Sequence, residues 1–253
     1  MNWAAIDLGL LWPALAAGLL VTATHAPLGM QVLARGIVFI DLAVAQIAGL
    51  GVVLADWLGA APHGAAVQAW ALGAALAGAL LFNWTERRWP EVQEAVIGVA
   101  FIVAANAAIL LLAANPRGAE HLKDLLVGQV LWVNAETLAW VALAYAAILA
   151  VWFGLRARLG RTGFYLLFAC TVTVSVQLVG LYLVFTTLIV PALATRNFPR
   201  RRLAACYLLG ALGYGAGLAL SLLRDLPAGP LIVCTMTALG AAVFLFGPRA
   251  RRA

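Results

Sequence analysis

Few side chains in this sequence could do chemistry, and they stand out against an apolar background. Asp41 lies in Arg35-Gly-Ile-Val-Phe-Ile-Asp41-Leu-Ala-Val-Ala-Gln46, a stretch with no other acidic residue. An ionisable group inside a hydrophobic segment is costly, so each one marks a candidate site. A carboxylate there can ligate a hard or borderline cation, or line a path for one. It can also pair with a neighbouring Arg or with a helix N-terminus at the interface. Gln46 follows five residues later, about 140° round a helix, so the two do not share one tight face. Gln46 could face a cavity or make an interhelical hydrogen bond. His25, just before Pro27, could bind metal, or could be a hydrogen-bonded structural residue, since no second ligand stands at i+4. Glu91 and Glu94 follow Pro90 at a helix start, where carboxylates complement the helix dipole. Glu94 is the one that could look inward. Asp41, Gln46, His25 and Glu94 are therefore the candidates for a transport pathway or for structural contacts, and Asp41 is the one whose carboxylate would hold a metal. His63 and His121 read as loop residues.

Other chemistries find no support. H-E-x-x-H and G-x-S-x-G are absent, and Ser175 and Ser221 have no base nearby in sequence. A phosphate-binding P-loop needs Gly-Lys-Ser/Thr, and the only lysine, Lys123, follows Leu122. The chain reads as no enzyme, and any ATP would act through a partner subunit. No C-x-x-C occurs, and Cys170, Cys206 and Cys234 read as small buried hydrophobes.

The elements that would position these groups follow from composition. Of 253 residues, 65% are hydrophobic and 10% charged, far from a soluble domain's balance. Residues 8–34, 57–85, 95–116, 137–155, 162–195, 203–223 and 226–248 contain no Asp, Glu, Lys or Arg. Runs near 20 residues span a bilayer, and inside hydrocarbon the backbone must satisfy itself as helix or closed barrel. Period-two alternation is absent, so the spans are helices. The expected fold is an all-α polytopic membrane protein with eight or nine hydrophobic helices in one transmembrane domain over 1–253. Their expected positions are 8–28, 37–58, 64–83, 92–114, 130–154, 163–179, 181–195, 203–223 and 229–247. No Lys or Arg precedes Arg35, so no secretory signal is expected.

The net charge of +6 falls in short inter-helix segments and reads as orientation, not nucleic-acid binding. Arg35, Arg87, Arg88, Arg156, Arg158, Arg161, the cluster from Arg196 to Arg202 and the tail Arg249–Arg252 would then be cytoplasmic. This requires 162–195 to turn back at Val179-Gly180, with a short, bent helix running to Pro191. The Gly213-Tyr-Gly-Ala-Gly217 spacing serves either internal packing or dimerisation.

Five segments in order resemble the membrane permeases of bacterial ABC importers for zinc and manganese. They are Gly29 to Arg35 with the Asp41 helix; Glu94-Ala-Val-Ile-Gly-Val-Ala-Phe101; and Leu125-Leu-Val-Gly-Gln-Val-Leu131. The fourth and most specific is Gln177 to Ala194 with Gly180 and Pro191, and the last is Gly217 to Ser221 with Leu226 to Gly229. The resemblance implies a homodimer in the bacterial inner membrane, two cytoplasmic ABC ATPase subunits and an extracytoplasmic substrate-binding protein. It implies a divalent metal as transported cargo, with no cofactor held stably. It also assigns ATPase coupling to Pro191, Arg196, Arg200 and Arg201. One departure is visible: Gln46 falls where the family has its motif His, and Asp41 is one residue early. Zinc favours His and Cys, whereas manganese tolerates oxygen ligands. The rival readings are a permease for a metal chelate, an ATPase-independent secondary transporter, and a structural subunit without a path.

Overall fold

A computed structural model of the chain describes residues 8–60, 64–112 and 130–248. His63, His121, most of Leu125–Leu131 and the tail Arg249–Arg252 lie outside the described residues. Helix α1 covers Leu8–Arg35, α2 Ile40–Trp57 and α3 Ala65–Arg88. A single 3-10 turn, Pro90–Val92, leads into α4, Gln93–Leu112. A helical run over Ala135–Val179 is turned at Gly160 and supplies two spans, α5 (Ala135–Leu155) and α6 (Arg158–Val179). The short α7 (Leu181–Ala194), then α8 (Arg202–Arg224) and α9 (Ala228–Phe246), complete the described chain. Eight of these helices are long and apolar enough to cross a membrane, and α7 is the shorter apolar one. No strand occurs among the described residues.

Several element boundaries differ from the sequence expectation, among them the end of α3, at Arg88 and not 83, and the start of α5, at Ala135 and not 130. Helix α1 does not stop near residue 28 but runs through Pro13 and Pro27 to Arg35. Pro27 cannot donate a hydrogen bond to the carbonyl of Ala23. The Tyr207 hydroxyl donates to that carbonyl instead, at 3.2 Å, so the helix continues without an orphaned acceptor. Helix α2 starts at Ile40, because Gly36 at φ 70° turns the chain after α1. The expected gap between 154 and 163 is helical apart from Gly160, at φ 56° and ψ −159°. That backbone region is open essentially to glycine alone. The expected break at Val179-Gly180 is present: Gly180, at φ 87° and ψ 159°, separates α6 from α7.

The chain forms two compact units. The first comprises residues 1–34, 127–146 and 178–253, and so contains nearly all of α1 with α7, α8 and α9. Its helices meet through small residues. Gly29 faces the backbone carbonyl of Leu188, Gly18 faces the Tyr214 ring, and Gly210 faces Thr22. Gly213 lies against Met236 and Gly217 against Ile232 and Thr235. The GxxxG spacing thus packs α8 on α9 within the unit, the internal one of its two readings. Tyr214, fully buried, shares a 3.0 Å hydrogen bond with Thr187. At the α7–α8 joint, Cys206 Sγ lies 2.9 Å from Thr195 Oγ1 and donates to the Pro191 carbonyl at 3.4 Å. Hydroxyls of Thr186, Thr187 and Thr195 donate to the carbonyl four residues earlier, which satisfies them without water.

The second unit comprises 35–126 and 147–177, and so holds α2, α3, α4 and most of α6. Ala43, Val44, Ala71, Ala75, Ala79, Phe82, Ile97, Phe168 and Val172 are buried. Its arginine-bearing helix ends are tied together. Glu86 accepts ion pairs from Arg35 (3.8 Å) and Arg161 (3.6 Å). The Arg35 guanidinium lies 4.2 Å over the Phe164 ring. Arg87 donates to Thr162 at 2.8 Å, and Thr162 donates to Asn83 at 3.2 Å. Beside this cluster, Gln93 bridges the Phe82 carbonyl and the Tyr165 hydroxyl, and accepts from Thr85. Exposed Trp57, Trp84 and Trp89 stand at helix ends, as at a membrane–water boundary.

Candidate functional site

Asp41 is the second residue of α2, not about five residues into the helix as its expected start implied. It is fully buried. Its Oδ1 accepts the backbone N–H of Leu42 at 2.8 Å, an arrangement that suits a carboxylate at the positive end of a helix. Its Oδ2 is buried and has no hydrogen-bond partner among the described residues. Glu94, in the first turn of α4, reaches the same end of α2: its Oε1 accepts the N–H of Phe39 at 3.2 Å. Its Oε2 is likewise buried and unpartnered among the described residues. The second unit therefore carries two carboxylates at the start of α2, each with one oxygen engaged by backbone and one unused. Gln46 is half-buried a turn further along α2.

His25 belongs to the first unit. Because α1 continues past Pro27, His25 lies inside the helix and not near its end, and it is fully buried. Its Nδ1 is within 3.0 Å of both the Thr24 hydroxyl and the Val21 carbonyl. Its Nε2 has no partner among the described residues. No group of three His, Cys, Asp or Glu side chains converges as a metal site among the described residues.

The residues expected at the coupling segment divide into two kinds. Pro191 is buried, and its carbonyl accepts the Thr195 hydroxyl at 2.7 Å. Arg196 stacks 4.2 Å over the Phe244 ring. Arg200 and Arg201 are exposed, with Arg201 in the left-handed region at φ 57°. Arg202, expected only as the end of the basic cluster, donates to the Ala192 carbonyl at 3.0 Å, and sequence reasoning did not single out Glu86, the anion between two arginines. A lone Glu flanked by basic residues was the available signal for Glu86.

The description of the ABC 3 transport family matches residues 7–164 and 149–247. The chain is 24% identical over 246 residues to the "High-affinity zinc uptake system membrane protein ZnuB" of Haemophilus influenzae, covering 88% of this chain and 92% of that protein. It is 25% identical over 263 residues to the "Manganese transport system membrane protein MntC" of Halalkalibacterium halodurans, covering 93% and 87% respectively. In fold it is similar to a chain of PsaBC from Streptococcus pneumoniae solved with a Fab. The TM-score is 0.77 at 19% identity, over 97% of this chain and 95% of that one.

Proposed function

We propose, from the premise that this chain belongs to the ABC 3 transport family, that it is the membrane permease subunit of an importer for a divalent transition metal. The cargo would be of the zinc or manganese type, carried across the bacterial cytoplasmic membrane. The observation that carries the reading is a family match reaching from residue 7 to 247 in a chain with eight membrane-length helices among its described residues. The names of the two curated relatives, one for zinc and one for manganese, support the cargo class. The chain has no Gly-Lys-Ser/Thr loop, so the driving ATPase is a separate cytoplasmic subunit. An extracytoplasmic binding protein delivers the metal, and two copies of this chain form the conduit.

In this reading Asp41 and Glu94 offer their unused oxygens to the cargo, with Gln46 as a neutral oxygen donor further along α2. His25, on α1 in the first unit, is a separate pathway candidate. A pathway dominated by oxygen donors suits manganese better than zinc. ATP binding and release in the partner would shift the helices between states open to either side, the cargo favouring each state by differential contacts. Arg200 and Arg201, exposed between α7 and α8, would meet the ATPase. Arg196 and Pro191 would hold the segment in shape.

The test is co-purification of the tagged chain with the products of its neighbouring genes. A nucleotide-hydrolysing subunit should come with it, and the complex in vesicles should take up manganese or zinc only with ATP. Uptake by the purified chain alone, without nucleotide, would place it among secondary transporters and remove this reading.

A further inference from the structure

Helix α4 presents a face that its own unit does not use. Ile97, Ala104, Ala108 and Leu112 are buried. On the other side Val99 (61%), Ile102 (57%), Val103 (61%), Ile109 (48%) and Leu110 (75%) are exposed. Asn106, also exposed, sits in the middle of that stripe. Its Nδ2 donates to the Ile102 carbonyl at 2.8 Å, and it makes no other hydrogen bond among the described residues. An apolar stripe facing lipid needs no explanation. An amide within it does, because lipid offers no partner for its carbonyl or its second N–H.

The spacing says what would cover it. Residues 99, 102, 106 and 109 alternate by three and four, the a and d positions of a heptad seam, with 103 and 110 beside them. Asn106 then falls at an a position. A polar residue at one such position sets register and partner number in a helix pair. Gly98 borders the seam with nothing within 4 Å of where a side chain would project. Two copies inserted in one direction present their α4 helices in parallel. A two-fold axis along the membrane normal brings each Asn106 to the depth of its counterpart. An amide carries both donor and acceptor and can satisfy an identical amide across that axis, which a carboxylate or ammonium cannot.

We propose that the outer face of α4 is where a second copy of this chain docks, with the two Asn106 side chains hydrogen-bonded across the two-fold axis. The proposal rests on the dimeric permease reading above and names the surface that reading leaves open.

The experiment uses the full chain in its membrane, with Cys170→Ala, Cys206→Ser and Cys234→Ala as background. Asn106→Cys, at a position near the axis, should give a covalent dimer on mild oxidation, since a disulfide needs Cα atoms within about 7 Å. Leu80→Cys, exposed on α3, should not. Asn106→Leu, in the otherwise native chain, should raise the dimer dissociation constant about 3- to 30-fold, from interhelical hydrogen bonds in bilayers worth about 0.6–2 kcal/mol. Native mass spectrometry reads that ratio. A chain that is dimeric by mass spectrometry but gives no cross-link at 106, or that dimerises as well or better with Leu, overturns the α4 seam alone. A chain that is monomeric throughout overturns the seam and the dimer together, and leaves ATP-driven uptake to be judged separately.

Discussion

Asp41 and Glu94 meet the first turn of α2 from their own helices, and each leaves one oxygen unused. If Asp41 ligates the cargo as proposed, it should not tolerate removal. Asp41→Ala is expected to lower manganese or zinc uptake about 10- to 100-fold, the range seen when a metal-supporting group is lost, while the protein still assembles with its ATPase. Radiolabelled uptake together with co-purification reads both outcomes, and normal uptake would take Asp41 off the pathway. Tyr207 makes a separate prediction. Tyr207→Phe strands the Ala23 carbonyl beneath Pro27 and should cost about 1 kcal/mol. That loss corresponds to about 2–4 °C in melting temperature for a chain of this size, measurable in detergent by a thermal-shift assay. The types of these residues were legible in the sequence; their depths were not. Asp41 appeared deeper because the start of α2 depends on Gly36 turning at positive φ, which a run of apolar residues does not reveal. His25 appeared nearer a helix end because Pro27 reads as a stop. The hydroxyl that lets the helix pass it comes from 180 residues further along the chain (207 against 27).

Between elements, two glycines set the course of the chain, and only one announced itself. Gly180 follows a long uncharged run whose two ends both carry arginines, so charge placement required a bend there. Gly160 stands among arginines in a short segment that reads as a loop, and nothing in that composition separates a loop from a turned helix. Both adopt backbone angles reserved for glycine. At Gly160 an added Cβ would meet nothing within 4 Å, so Gly160→Ala isolates the backbone effect. It should cost about 1–3 kcal/mol, seen as a lower melting temperature without a change in helix content by circular dichroism. The residues after Gly160 are anchored to α3, Arg161 through Glu86 and Thr162 through Arg87 and Asn83. Glu86→Gln removes the shared anion of Arg35 and Arg161, both partly exposed. Exposed ion pairs contribute about 0.2–1 kcal/mol each, so the two together should cost about 0.4–2 kcal/mol, a fall of about 8 °C at most. A larger fall would show that Glu86 organises the whole cluster of Arg35, Arg161 and Phe164.

For the molecule as a whole, composition alone established the membrane class, and five ordered segments pointed to the family that the chain belongs to. Hydropathy could not divide the helices into two units or say which small residues each uses. Gly213 and Gly217 illustrate the limit, since a GxxxG spacing reads the same whether its partner is α9 or another copy. The structure gives α9, so Gly213→Leu should abolish folding of the first unit. Expression should fall and aggregates replace monodisperse protein in size-exclusion chromatography, a different outcome from a folded chain that fails to dimerise. Cys206 offers a way to watch that unit. Sealed between Thr195 and the Pro191 carbonyl, its thiol is closed to alkylating reagents while the joint stays shut. The rate at which it becomes labelled would therefore time the opening of the very segment through which a motor subunit would have to pull.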